Sequence, residues 1–219
     1  MIQRLPRLPQ LPVARSNRRV DEGGGYGALE LIAALAIVGL VTLLTLPSVL
    51  EWSAAQRVEA AAAELVGTLR LARTYAMRHS ANVALKFHLE TAETGITRVW
   101  FALYRDGDGD GVRNDDLARG VDPRVTRPRQ LATFGSRVRF GFPAGTVPSD
   151  PSDPGRRLDR LDDPIRFNRS DLASFGPLGT STPGSLYVTD GRRLAVVRVQ
   201  SRAGRVRVLR WDPAEERWR

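Results

Sequence analysis

Residues 27–46 read GALELIAALAIVGLVTLLTL and carry a single charge, that of Glu30. At a rise of 1.5 Å per residue this run forms a helix about 30 Å long, which is the hydrocarbon thickness of a bilayer. A buried core helix is the alternative, but such helices are seldom apolar on every side at this length. The stretch therefore predicts a transmembrane helix over residues 27–46.

The segment before this helix is basic. Residues 1–25 hold five arginines against Asp21 and Glu22, a net charge of +3. Because basic flanks stay on the cytoplasmic side, we expect a single-pass protein with a cytoplasmic N-terminus and an exported remainder. The apolar run is too long for the core of a secretory signal and no small-x-small cleavage site follows it, which excludes an ordinary signal peptide.

The one charge in the apolar run is placed unusually. Glu30 lies one turn inside the helix, where a lone carboxylate costs about 2.5–3.5 kcal/mol on insertion scales. A residue held there at such a cost usually has a functional partner. We expect a cationic group from a neighbouring chain to supply it.

The residues around Glu30 carry a resemblance. Residues 25–30, GYGALE, with the basic leader and the apolar helix, resemble a type IV prepilin signal. The resemblance implies that a prepilin peptidase of the inner membrane cuts between Gly25 and Tyr26 and N-methylates the new first residue. It implies that Glu30 pairs with the N-terminal amine of an adjacent subunit in a filament. Pro47 matches the family's helix-kinking proline.

The helical pattern continues beyond Pro47. Within residues 48–80, apolar side chains recur at spacings of three and four, which predicts an amphipathic helix. They are Val58, Ala62, Leu65, Val66, Leu69, Ala72 and Ala76. Pro47 lacks an N–H, but a pattern that resumes so strongly indicates a kink rather than an end. We predict three regions: a cleaved leader over 1–25, a helix over 26–80 and a β-rich head over 81–219.

The head follows a period of two. Predicted strands cover residues 82–90, 96–105, 137–142, 164–167, 185–190, 193–199 and 204–211. A turn at 93–95 joins the first two strands into a hairpin, and the proline- and aspartate-rich residues 143–163 predict a long exposed loop. Strands after one long helix predict an α+β fold, with the long N-terminal helix packed on an antiparallel β-sandwich head.

The head is similar to that of the minor pseudopilin H / FimT group. The similarity lies in the helix end AELVGTLRLARTYAMRHS, residues 63–80, and in AGRVRVLRW, residues 203–211. It implies a pilin-like fold and a minor pseudopilin that assembles with other pseudopilins into the pseudopilus of a type II secretion system. It also implies an anchor in inner-membrane lipid and a periplasmic head. A FimT-like minor pilin that binds DNA for natural transformation is the alternative.

Residues 106–116 read DGDGDGVRNDD. Carboxylates at alternate positions, with glycines that allow tight curvature, suit a hard cation with oxygen ligands, so the loop predicts a calcium site. The predicted ligands are the side chains of Asp106, Asp108, Asp110, Asn114 and Asp116 and the carbonyl of Val112. Leu117 stands where an EF-hand needs a bidentate Glu, so the full EF-hand pattern fails. An acidic turn between two strands, without a metal, is the alternative.

The C-terminal tail is the second basic segment. Residues 191–219 hold nine arginines against three acidic residues, a net charge of +6, while residues 26–190 are neutral. The formal charge of +9 therefore does not describe a uniformly basic, histone-like protein. Arg205 and Arg207 would share the outer face of a strand. In FimT-like proteins a Gly-Arg-x-Arg tail resembles a DNA-binding element. A solvated strand face or a contact with an acidic pseudopilin is the alternative explanation of the pattern.

Composition narrows the remaining classes. The chain has no cysteine, which excludes disulfides, zinc-thiolate sites and a cysteine nucleophile. A hydrophobic content of 42% is enough for a packed core and argues against global disorder. The two histidines, His79 and His88, have no recognisable catalytic motif around them, so we do not expect an enzyme.

Overall fold

A computed structural model describes residues 27–91, 97–168, 170–200 and 202–219. The predicted leader with Gly25, Tyr26 and the turn at 93–95 lie outside the described residues. The fold is α+β, as the sequence predicts, with one long N-terminal helix and antiparallel sheets. The chain divides into two compact units, Met1–Leu46 and Pro47–Arg219.

Helix α1 extends over Ala28–His79. In the first unit, residues 27–46 are all exposed, and this part of the helix is long and apolar enough to cross a membrane. The hydroxyls of Thr42 and Thr45 donate to the carbonyls of Val38 and Val41, at 2.7 and 2.9 Å. These hydroxyls are therefore satisfied within the helix, as a lipid environment requires.

In the second unit, α1 buries the apolar stripe that the sequence predicts. The fully buried positions on it are Val58, Ala61, Ala62, Leu65, Leu69, Ala72 and Ala76. Small alanines along most of the stripe let the strands approach the helix closely, while Leu65 and Leu69 fill the centre of the core. The helix ends at His79, and Ser80 takes a left-handed conformation with φ 48°.

The first sheet has four antiparallel strands in the order β3-β2-β1-β8. The strands are β1 (Val83–Thr91), β2 (Thr97–Arg105), β3 (Arg129–Gln130) and β8 (Leu172–Phe175). Alternate residues of β1, namely Val83, Leu85 and Phe87, face the main core. The opposite face of this sheet carries a second, smaller apolar cluster around Ala84, Ala102 and Tyr104, which we call the outer cluster.

The second sheet is built mainly from the C-terminal part of the chain. Its main path runs β12-β11-β10-β9-β4, and β7 pairs with β9 beside that path. The strands are β4 (Arg139–Phe140), β7 (Ile165–Arg166), β9 (Gly184–Thr189), β10 (Leu194–Val199), β11 (Val206–Asp212) and β12 (Arg217–Trp218). Both sheets and α1 contribute side chains to the main core. The amphipathic half of α1 is therefore an integral part of the head.

The segment predicted as a long loop has more structure than the sequence indicates. Within residues 143–163, β5 (Ser149–Asp150) pairs with β6 (Asp153–Arg157) in a two-stranded hairpin. Leu158 is buried there beside Tyr187, on the outer face of the second sheet. Hydrogen bonds from Trp218 Nε1 to the Ser149 carbonyl and from Arg198 to the Pro151 carbonyl also hold the segment against the sheet.

Two further helical turns lie between the strands. Helix α2 covers Asn114–Arg119, and a 3₁₀ helix covers Leu131–Phe134. Leu117 of α2 packs against the outer cluster of the first sheet, so α2 holds the aspartate-rich loop on that sheet.

Candidate functional site

The aspartate-rich loop begins where β2 ends, at Asp106. Ligand-competent oxygens of Asp106, Asp108 and Asp122 lie within 4.8 Å of one another. A second group, formed by Asp108, Asp110 and Asp116, is equally close. Asp108 belongs to both groups, so the two form one continuous patch of carboxylates.

Asp106 is the anchor of this loop. Its carboxylate accepts hydrogen bonds from the Asn82 side chain at 2.8 Å and from the backbone N–H groups of Asp108, Gly109 and Gly111 at 3.2, 2.7 and 2.8 Å. Burial would raise the pKa of Asp106, but these hydrogen bonds outweigh it and hold that pKa below its usual value. The side chain is therefore a charged acceptor that shapes the loop.

Asp122 closes the loop from the other end. It is buried and accepts from the backbone N–H groups of Gly107 at 3.0 Å and Arg113 at 3.1 Å. Asp122 lies sixteen residues beyond Asp106 along the chain, outside the alternating motif, so the motif does not predict it. The only sequence signal for it is a lone Asp before Pro123.

Asp110 and Asp116 form the outer half of the patch. Asp116 is buried and pairs with Arg119, while the exposed Asp110 pairs with Arg113. Desolvation and the neighbouring Asp108 raise the pKa of Asp110 against the opposing effect of Arg113. Repulsion between close carboxylates of this kind is relieved when a cation binds.

The other two predicted ligands are placed differently. Val112 is buried in the outer cluster of the first sheet, and its side chain holds the loop there. Asn114 is the first residue of α2. The structure thus brings the four predicted aspartates together and adds Asp122 to the patch. It gives the Val112 side chain a packing role.

Calcium binding at this patch stays a prediction, and it has a direct test. We expect calcium to raise the thermal unfolding midpoint of the detergent-solubilised chain relative to EDTA, with a Kd of about 0.1–1 mM, as for other weak extracytoplasmic sites. Asp108→Asn should abolish the shift because Asp108 is shared by both groups. The exposed Asp115→Asn is the matched control, and an unchanged midpoint in the wild-type chain would contradict the prediction.

The apolar first part of α1 contains the second predicted site, Glu30 and Pro47. Glu30 lies in the first turn of α1, and its backbone N–H donates to the Gly27 carbonyl at 2.9 Å. Its side chain is exposed, as are all its neighbours up to Leu46. Pro47 lies within α1, which continues through it to His79.

The basic tail contains the third predicted site, the Gly-Arg-x-Arg pattern of residues 204–207. Gly204 is buried with φ 69°, and a side chain there would meet Arg73 of α1 at 3.0 Å. The glycine of the Gly-Arg-x-Arg pattern is therefore explained by packing of the tail on α1. Arg205 and Arg207 are exposed, and neither forms an ion pair with any residue that the structure describes. Arg198, across from Arg207, instead donates to the Pro151 carbonyl at 2.6 Å.

The histidine contacts are those of packed side chains. His88 stacks on Trp100 with ring centres 3.7 Å apart, and its Nε2 lies 3.2 Å from the Tyr104 hydroxyl. Burial, followed by the charges of Lys86 and Arg124, lowers the pKa of His88. His79 stacks on Tyr75 at the end of α1. That the protein is not an enzyme stays a prediction.

No protein family, curated protein or solved structure matches this chain.

Proposed function

We propose that this chain is a pilin-like minor pseudopilin, processed by a prepilin peptidase and assembled into the pseudopilus of a type II secretion system. Its first unit would anchor it in the inner membrane, with the N-terminus cytoplasmic and the head periplasmic. Its partners would be other pseudopilins, whose helices would pack beside its own.

One observation carries this proposal. Every residue from 27 to 46 is exposed, and this segment carries a single charge, that of Glu30. A continuous apolar surface of this size is not stable in water and needs lipid or other apolar helices around it. A carboxylate at a fixed depth in that surface needs a cationic partner, and a lipid tail cannot provide one. A bundle of such helices satisfies both requirements.

The second unit supports the proposal in a different way. There α1 buries its apolar stripe against antiparallel sheets, with Val58, Leu65 and Leu69 in the main core. The same helix is thus exposed in its first half and built into a folded head in its second half. This arrangement suits a subunit that presents a lipid- and helix-binding rod while its head stays folded outside the membrane.

The proposed mechanism is assembly. Cleavage between Gly25 and Tyr26 would remove the basic leader, free the amine of Tyr26 and make Glu30 the fifth residue of the mature chain. In the low-dielectric bilayer an amine from an adjacent subunit would pair strongly with that carboxylate and set the register of the helices. The apolar side chains around Glu30 would then pack against those of the neighbour.

We expect Glu30→Val to insert into the membrane normally and to lose co-purification with partner pseudopilins by tenfold or more, because it removes the proposed ion pair. The measurement is pull-down of the tagged chain from detergent extracts of cells that express the secretion machinery. Thr42→Val is the matched control, since its hydroxyl is already satisfied within the helix. Normal partner recovery and normal secretion with the Glu30 variant would refute the assembly role.

A second candidate, a FimT-like minor pilin that binds DNA, is favoured by one observation. Arg205 and Arg207 are exposed and free of ion pairs among the described residues, as phosphate-binding arginines would be. A mobility-shift titration over a salt series separates the candidates, because phosphate contacts lose affinity steeply with salt. The membrane helix requires assembly in either case.

A further inference from the structure

A basic cleft lies on the second unit beside the residues that follow the apolar run. It has a volume of about 410 Å³ and is lined by α1 residues 50–57, the loop at 135–138 and the turn at 190–193. Four arginines face two acidic residues in its wall, a net charge of +2. None of these residues belongs to the aspartate patch or to the Arg205–Arg207 tail.

Three of the four arginines are available to a ligand. The fourth, Arg193, is occupied, because it pairs with Asp190 at 3.2 Å and donates to the Glu51 carbonyl at 2.8 Å. Asp190 also accepts from two backbone N–H groups, those of Arg192 and Arg193. Within the described ranges, the exposed side chains of Arg57, Arg137 and Arg192 form no ion pair. We call these three arginines the basic face.

The position of the cleft along the chain indicates what it binds. Trp52 is six residues beyond Leu46 in the sequence, soon after the apolar run ends. Trp52 is 65% exposed, and Leu50, which lines the cleft, is 61% exposed. An exposed Trp so soon after an apolar run is typical of the membrane–water interface.

The side chain of Arg57 is directed back along α1, as side chains on a helix are. Its Nη2 donates to the Ser53 hydroxyl at 3.4 Å, one turn earlier in the helix. Its Cδ lies close to the loop at 135–138, because a Cβ at Gly135 would lie 3.0 Å from it.

We propose that the basic face binds the phosphate groups of anionic phospholipids and so docks the head on the membrane surface. The inference rests on the proposed membrane anchoring but not on assembly into a filament. Arginine suits this ligand because its planar donors pair with phosphate oxygens through two hydrogen bonds. Trp52 and Leu50 would enter the interface beside the bound headgroups.

The test uses the full chain in mixed detergent micelles that contain equal amounts of phosphatidylglycerol and phosphatidylcholine with identical acyl chains. Native mass spectrometry counts the lipids that remain bound. We expect the wild-type chain to enrich phosphatidylglycerol, and the triple variant Arg57→Gln/Arg137→Gln/Arg192→Gln to lose tenfold or more of that enrichment, since each arginine near an anionic surface contributes about fivefold. Raising the salt concentration should lower the enrichment of the wild-type chain in the same way.

The matched control is Arg70→Gln/Arg78→Gln, which removes two exposed arginines of α1 that lie outside the cleft. It should leave the enrichment unchanged. The proposal would be overturned if the triple variant enriched phosphatidylglycerol as much as the wild-type chain does, or if the control variant lost as much enrichment as the triple variant. Enrichment by the wild-type chain that does not depend on salt would also overturn it. So would a loss of DNA binding, rather than of lipid binding, in the triple variant. A chain that fails to enter membranes would refute the anchoring itself, which carbonate extraction measures separately.

Discussion

We expect Gly184→Ala to lower the free energy of unfolding by about 3 kcal/mol, because the new methyl group has no space. A Cβ at Gly184 would lie 2.2 Å from Cδ1 of Phe167 and 2.5 Å from the backbone carbonyl oxygen of Arg166. The carbonyl belongs to β7, which pairs with β9 at this point, so it cannot move without breaking the pairing. The ring of Phe167 is fully buried and stacks on Phe87 at 6.4 Å.

The measurement is the thermal midpoint of the detergent-solubilised chain, followed by tryptophan fluorescence, and the expected decrease is about 6–12 °C. Gly155→Ala is the matched control, because Gly155 lies on the exposed strand β6 and its nearest neighbour would be Asp153 Oδ1 at 3.5 Å. The control should stay within about 0.5 kcal/mol of the wild-type chain. Equal midpoints for the two variants would show that the β7–β9 contact is looser than the structure has it.

Gly184 also shows where the sequence stops being informative. Position 184 requires glycine because of Phe167, which lies seventeen residues earlier in the sequence. The two residues meet beside the β7–β9 strand pair, and no local sequence pattern indicates that pairing. The long apolar helix and the buried stripe on α1 can be predicted because their signals, a continuous apolar run and a repeat of three to four residues, each lie within one element. A contact between elements has no such repeat.

The strands divide in the same way. Strand β1 alternates over its whole length, and the sequence predicts it to within one residue at each end. The sequence does not predict strand β8, Leu172–Phe175, although it pairs with β1 along Val83–Lys86. It is four residues long, and its partner lies almost ninety residues earlier, so it becomes a strand only when β1 offers an edge.

The aspartate patch combines both cases. The alternating carboxylates at 106, 108 and 110 form a local motif that the sequence shows directly. Asp122 joins the patch from beyond α2 in the chain, outside that motif. The motif predicts a carbonyl ligand at Val112. The motif does not predict that the Val112 side chain is buried on the first sheet, because that burial is a tertiary contact. Local chemistry can be predicted from spacing, and closure of the loop cannot.

We expect Asp106→Ala to lower the free energy of unfolding by about 3 kcal/mol near neutral pH, because it leaves one side-chain amide and three backbone N–H groups without their charged acceptor. Asp115→Ala is the matched control: Asp115 is exposed on α2, in the same loop region, and its removal should cost about 0.5 kcal/mol or less. A loss in the Asp106 variant no larger than in the control would show that the loop does not depend on this carboxylate.

The effect of Asp106 should also depend on pH, with a sign fixed by its pKa. Folding lowers the pKa of Asp106, so the charged form is stabilised in the folded state. Its contribution is therefore complete above the unfolded-state pKa of about 3.9 and is lost as the pH falls through the lower folded-state pKa. Asp106→Asn removes this titration, and its Nδ2 would face the donors of Asn82 and Gly111 or of Asp108 and Gly109. Urea unfolding at pH 7 should thus separate wild type from Asp106→Asn, and the gap should narrow only below about pH 4; a gap that narrows between pH 5 and pH 7 would contradict a lowered pKa.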